Sequence, residues 1–165
     1  MVLQKKVCML GAFAVGKTSL VRRYVYSLFS DTYLTTIGVK IDKKTVMVGG
    51  RTVDLILWDI AGDDDVSPVR TSYLRGAAGY FLVVDGTRPE TLETAQSIQC
   101  RVESEVGQLP FIVLLNKCDL AEHWRLSAHR IEELDRAGWT ALRTSAKTGE
   151  GVEAAFQELA DRVAR

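Results

Sequence analysis

The sequence predicts an α/β fold built on a mainly parallel sheet, and three observations carry that prediction. Apolar runs of strand length recur at Val7 to Leu10, Leu55 to Trp58, Tyr80 to Val84 and Phe111 to Leu115. Segments of helical period separate most of them, as parallel strands require, because each parallel pair must be joined by a crossover. The chain is also 165 residues long, the size of one domain rather than two.

Taken in order, the first strand is followed by a helix beginning near Lys17. Ile37 to Val48 and Arg51 to Trp58 then flank Gly49-Gly50, which reads as a hairpin turn, so this strand pair is antiparallel. Pro89 suits the first turn of a helix that places Leu92, Ala95, Ile98, Val102 and Val106 on one stripe. A further helix carries Ala128, Ile131 and Leu134 and stops near Gly138. The last segment aligns Val152, Ala155, Phe156, Leu159 and Val163, a stripe that needs a sheet or another helix to cover it. Pro occurs only at Pro68, Pro89 and Pro110, and no repeat or linker divides the chain, so residues 1–165 read as a single domain.

Composition removes several function classes. With 47% apolar and 25% charged residues, neither a disordered chain nor a collagen-like fibre is expected. The 21 basic residues balance the 21 acidic ones, so no global attraction draws the protein to nucleic acid or to an anionic membrane. Cys8, Cys100 and Cys118 are odd in number and lack zinc or disulfide spacing, which points to the cytoplasm, and His123 and His129 form no metal spacing with them. Lys5 and Lys6 before Val7 to Val15 imitate a secretory signal, but cleavage after Ala14 would destroy the strongest motif in the chain, and no run approaches the ~20 apolar residues of a membrane span.

That motif is Gly11-Ala12-Phe13-Ala14-Val15-Gly16-Lys17-Thr18, which fits G-x-x-x-x-G-K-[ST] between a strand and a helix. Such a loop lets successive backbone N–H groups and a helix N-terminus face phosphate oxygens. Lys17 supplies a mobile cation to the terminal phosphates, and the Thr18 hydroxyl can ligate Mg²⁺. The base is addressed elsewhere. Asn116-Lys117-Cys118-Asp119 follows a buried strand, and a carboxylate such as Asp119 accepts from the N1–H and N2 amino group of guanine, whereas adenine offers an acceptor at N1 and no amino group at C2. Alone, Asn-Lys-x-Asp would also serve as a polar turn; downstream of a phosphate loop it reads as guanine recognition.

With these motifs in order, the sequence resembles the Ras superfamily of small GTPases. Gly11 to Thr18, Thr36-Ile37-Gly38, Asp59-Ile60-Ala61-Gly62, Asn116 to Asp119 and Ser145-Ala146-Lys147 span practically the whole chain, and Trp58-Asp59-Ile60-Ala61-Gly62, Thr36 to Val39 and Tyr73 to Ala77 look most like the Rab branch. The resemblance implies a P-loop NTPase G domain, with a six-stranded, mostly parallel sheet, one antiparallel strand and five flanking helices. It implies binding of GTP or GDP with Mg²⁺ and a nucleotide-dependent switch. Ala14, Val15, Gly16, Lys17, Thr18, Ser19, Tyr33 and Thr36 would hold the nucleotide, Phe29 would lie against the guanine, and Ser145, Ala146 and Lys147 would contact the base. Read without the resemblance, Phe29 is simply an apolar residue ending a helix. Thr36 would complete a metal shell begun by Thr18, Asp59 would hold the metal through water, and the Gly62 N–H would meet the γ-phosphate. The resemblance further implies that loss of that phosphate would release residues 30–39 and 62–73, and that a partner binding only one arrangement would read the nucleotide state.

Two positions depart from the family pattern. Phe13 stands where most members carry a small residue, and Asp63 replaces the usual water-positioning glutamine. An ionised carboxylate cannot donate a hydrogen bond and adds negative charge beside the triphosphate, so Lys17, Gly62 and Asp63 form a catalytic set expected to hydrolyse GTP slowly. The alternative is a scaffold that holds GTP or GDP without turnover. A P-loop kinase or ATPase would leave Asn116 to Asp119 unexplained. Asp64 and Asp65 read as a solvated surface or helix start, and Lys40, Lys43 and Lys44 as a charged hairpin edge. Cys118, beside the base-binding residues, has two readings, a variable filler or a thiol whose modification speeds nucleotide loss. Effector proteins, an exchange factor and a GTPase-activating protein are the partners the family implies. Neither the Met1-Val2 start nor the Val163-Ala164-Arg165 end carries a lipidation signal, so no direct lipid anchor is expected in this chain: either the segment is trimmed to its nucleotide domain, or the protein works soluble or is recruited to membranes through a partner.

Overall fold

Along the first strand the side chains alternate between two apolar layers, Val7 and Met9 to one side and Cys8 and Leu10 to the other. This is the mark of a strand covered on both faces. The computed structural model describes residues 2–30, 38–62 and 71–165. In chain order its elements are β1 (Leu3–Gly11), α1 (Lys17–Tyr26), β2 (Val39–Val48), β3 (Arg51–Ile60), α2 (Thr71–Leu74), β4 (Ala77–Asp85), α3 (Glu90–Val106), β5 (Phe111–Asn116), a 3₁₀ turn (Ala121–His123), α4 (Ala128–Arg136), β6 (Ala141–Arg143) and α5 (Val152–Val163).

The six strands form one sheet in the order β2-β3-β1-β4-β5-β6. Only the β2–β3 pair is antiparallel, running from Val39 opposite Ile60 to Val48 opposite Arg51 around the Gly49-Gly50 turn, as the sequence predicts. The other four pairings are parallel. Together they make the six-stranded, mostly parallel sheet of a P-loop NTPase-like fold.

Each face of the sheet has its own core. Phe81, Val83, Ile112 and Leu114 pack with Leu20, Val21 and Tyr24 of α1 and with the whole predicted stripe of α5. Tyr80, Leu82, Val84, Val113 and Leu115 pack with Leu92, Ala95, Ile98 and Val102 of α3 and Leu134 of α4. Within the predicted stripe of α4, Leu134 is buried, Ile131 half-buried and Ala128 exposed. Lys44 is half-buried with its ammonium 5.4 Å from the Tyr24 ring centre, so of the three hairpin lysines only Lys40 and Lys43 are exposed.

Helix α1 ends at Tyr26 because Ser27 turns left-handed, at φ 56° and ψ 34°. The Ser27 and Leu28 N–H groups then donate back to the Arg23 and Arg22 carbonyls at 3.0 and 3.3 Å. Phe29 therefore lies beyond the helix rather than ending it, and is 37% exposed. Among the described residues, no helix is long and apolar enough to cross a membrane.

Candidate nucleotide-binding site

The phosphate loop, Asp59 to Gly62, Asn116 to Asp119 and Ser145 to Lys147 lie at or just past the carboxyl ends of β1, β3, β5 and β6, where doubly wound sheets form their binding crevice. After β1 the loop from Gly11 to Gly16 takes positive φ at Gly11, Ala14 and Gly16 (153°, 62° and 106°). Backbone of alternating hand of this kind forms an anion-binding concavity. Gly16 must lack a side chain, because a Cβ there would land in the Asn116 carboxamide. Helix α1 starts directly after it with no side-chain cap and no acidic residue in its first turn, which leaves its N-terminal N–H groups and dipole for an anion. Lys17 is buried, and its ammonium donates to the Gly11 and Ala12 carbonyls at 3.2 and 2.9 Å. Ser19 follows, half-buried, in the first turn of α1.

The Thr18 hydroxyl donates to Oδ2 of Asp59 at 2.5 Å, and Asp59 is buried at the end of β3. A hydroxyl and a carboxylate side by side are hard oxygen donors, and few protein ligands suit Mg²⁺, which takes most of its shell from water and substrate phosphates. Among the described residues no three His, Cys, Asp or Glu side chains converge on a metal. The donor set therefore fits Mg²⁺ rather than a metal held wholly by protein. Just past β3, Gly62 abuts the phosphate loop so closely that a Cβ on it would fall 2.6 Å from the Phe13 Cα. Tyr33, Thr36 and Asp63 lie outside the described residues.

On the base side, Asn116 is buried and ties two loops together. Its Nδ2 donates to the Val15 carbonyl at 3.0 Å, and its Oδ1 accepts from the Thr144 hydroxyl at 3.1 Å. Asp119 accepts from the Ser145 hydroxyl at 2.7 Å, so the predicted base-reading carboxylate and the Ser145-Ala146-Lys147 loop meet. Arg23 of α1 holds that loop from below, donating to the Ala146 carbonyl at 2.7 Å and to the Lys147 carbonyl. Lys117, at φ 68°, donates to the Ala14 carbonyl at 3.1 Å.

Two residues that the sequence reading missed belong to this assembly. Asp85, buried at the end of β4, pairs with Lys117 Nζ at 2.8 Å and with Arg88 Nε at 3.0 Å, and accepts from the Thr87 N–H and hydroxyl at 2.8 and 2.6 Å. Burial pushes the Asp85 carboxyl up, but Lys117, Thr87 and Arg88 outweigh it and hold the group below the usual carboxylate range. Arg88 in turn donates to the Phe13 carbonyl at 2.8 Å. The available signal was position: Asp85 ends an apolar strand just as Asp59 and Asn116 do. Cys118 is clarified too. Its neighbour Lys117 is engaged by Asp85, while the thiol donates to Glu150 Oε2 at 2.7 Å, contacts that disfavour the reactive thiolate.

Fold and site together define a nucleotide-binding protein of the P-loop α/β class. The profile of the Ras family matches residues 6–165, and the chain belongs to that family, in its Rab-like branch. Its general activity is that of the small GTPases, a switch between GTP- and GDP-bound forms. Ras-related protein Rab-3 of Caenorhabditis elegans is 33% identical over 158 residues, covering 94% of this chain and 72% of that protein. Ras-related protein Rab-32 of Homo sapiens is 34% identical over 168 aligned positions, covering 96% and 74%. Ras-related protein Rab-13 of Bos taurus is 33% identical over 157 residues, covering 94% and 77%.

Proposed function

We propose that this chain binds GTP and GDP with Mg²⁺, hydrolyses GTP slowly and signals through residues 30–39 and 62–73. What supports this reading above all is the Asn116 carboxamide hydrogen bond to Val15, which joins the base-reading loop to the phosphate loop as one pocket. Thr18 and Thr36 would hold Mg²⁺ directly and Asp59 through water, and the ion would supply charge neutralisation at the phosphate oxygens. Lys17 brings its ammonium to the terminal phosphates, Asp119 reads the guanine, and the Gly62 N–H answers to the γ-phosphate. Release of that phosphate frees Thr36 and Gly62, and effectors distinguish the two arrangements. An exchange factor and a GTPase-activating protein complete the cycle, the latter inserting the donors that Asp63 lacks.

Slow turnover follows from Asp63, since losing a preorganised donor costs on the order of a hundredfold in rate. The half-exposed Phe13 ring, carried on the loop that Gly62 abuts, supports a second reading, a scaffold that keeps its nucleotide. Single-turnover hydrolysis by the purified protein decides between them. Conversion of GTP to GDP over hours, quickened by Asp63→Gln, is the expected outcome; unchanged GTP favours the scaffold, and a rate equal to that of a glutamine-bearing relative removes the argument from Asp63. In the same preparation Asp119→Asn shifts preference towards xanthine nucleotides, and undiminished guanine selectivity would contradict the role given to Asp119.

A further inference from the structure

Asp85 is a buried carboxylate whose Oδ2 faces two cations, Lys117 at 2.8 Å and Arg88 at 3.0 Å. Each cation reaches onward to the phosphate loop, and to consecutive residues of it: Arg88 donates to the carbonyl of Phe13 at 2.8 Å, and Lys117 to the carbonyl of Ala14 at 3.1 Å. In a trans peptide the C=O of one residue and the N–H of the next point in opposite directions. Fixing the Phe13 and Ala14 carbonyls on the outer side therefore turns the Ala14 and Val15 N–H groups to the inner side, where a phosphate would be bound. Ala14 needs such a hold, because its φ of 62° is a left-handed conformation costing an alanine about 1–2 kcal/mol.

We propose that Asp85 and Arg88 are positioning residues for the phosphate loop, a fork that orients the Ala14 and Val15 N–H groups toward the β-phosphate of a bound guanine nucleotide. The fork rests on the nucleotide-binding reading above and adds two residues to it. Arginine suits the outer tine because its planar guanidinium serves Asp85 through Nε and Phe13 through a terminal nitrogen at once, which an ammonium on a lysine stem cannot match.

The test is calorimetric titration of GDP, with Mg²⁺, into the full chain and into Arg88→Ala, Arg88→Lys and Asp85→Asn, with Arg130→Ala on α4 as control, together with phosphorus NMR of the bound GDP. Loss of a charge-assisted hydrogen bond to the loop weakens GDP about tenfold in Arg88→Ala. The β-phosphate resonance moves while the α-phosphate resonance stays, Arg88→Lys recovers part of the affinity, and preference for GDP over ADP is kept because Asp119 is untouched. Unchanged affinity and an unmoved β-phosphate resonance in Arg88→Ala overturn the fork. Arg88 is half-buried, so this variant decides the matter even where Asp85→Asn fails to fold. A parent chain that binds no GDP overturns the nucleotide-binding reading itself, an outcome visible before any variant is compared.

Discussion

Burial and the Glu150 carboxylate push the Cys118 thiol up to about 12, with Asp119 adding to the effect. A thiol held protonated is a poor nucleophile. Iodoacetamide at neutral pH is accordingly expected to modify the exposed Cys100 well before Cys118, and Glu150→Gln to quicken the Cys118 reaction. Peptide mass spectrometry over time checks this, and equal rates at the two cysteines would refute it. Because the folded value lies above the ordinary 9.0, the stabilisation from this contact is complete below about pH 9 and fades as pH rises towards 12. At this scale the sequence exposed residues whose types carry chemistry in a fixed spacing, such as Lys17, Thr18 and Asp119. It hid Asp85 and Arg88, whose roles come from contacts made across the sheet and not from neighbours in the chain.

Among the elements, α1 carries a local strain that can be removed. Ser27 occupies a left-handed position that glycine adopts freely, and its N–H already makes the terminating hydrogen bond to Arg23. Ser27→Gly should relieve the side-chain penalty and give back part of it in unfolded-chain entropy, for a net gain of about 0.5–1 kcal/mol. Urea unfolding measures this; a loss of stability would show that the serine side chain contributes more than its conformation costs. Elements long enough to display a period were legible, above all α3 and α5, whose stripes are buried almost as predicted. β6, at three residues, is too short for any periodicity to declare itself, and only the family resemblance supplied it.

For the molecule as a whole, the two cores on opposite faces of one sheet make stability a shared property of distant segments. Phe156 of α5 stacks on Tyr24 of α1 with ring centres 4.0 Å apart and tilts against Phe81 of β4 at 4.7 Å, joining three elements. Phe156→Ala should cost about 3–5 kcal/mol in global unfolding, the range for a large buried aromatic; a cost within experimental error would mean that the layer closes around the gap. The α/β class and the antiparallel hairpin followed from local pattern, whereas the order β2-β3-β1-β4-β5-β6 is set by non-local pairing that apolar runs do not encode. Gly16 against Asn116 carries this furthest, since a glycine near the amino end has no room for even one more carbon because of an amide a hundred residues later. A chain emerging from the ribosome thus exposes its anion-binding turn long before the wall behind that turn has been synthesised. Nascent or prematurely terminated products ending ahead of β5 would hold the turn without its backing, and competence for ligand should arrive late in translation, in one step, with the carboxyl-terminal third.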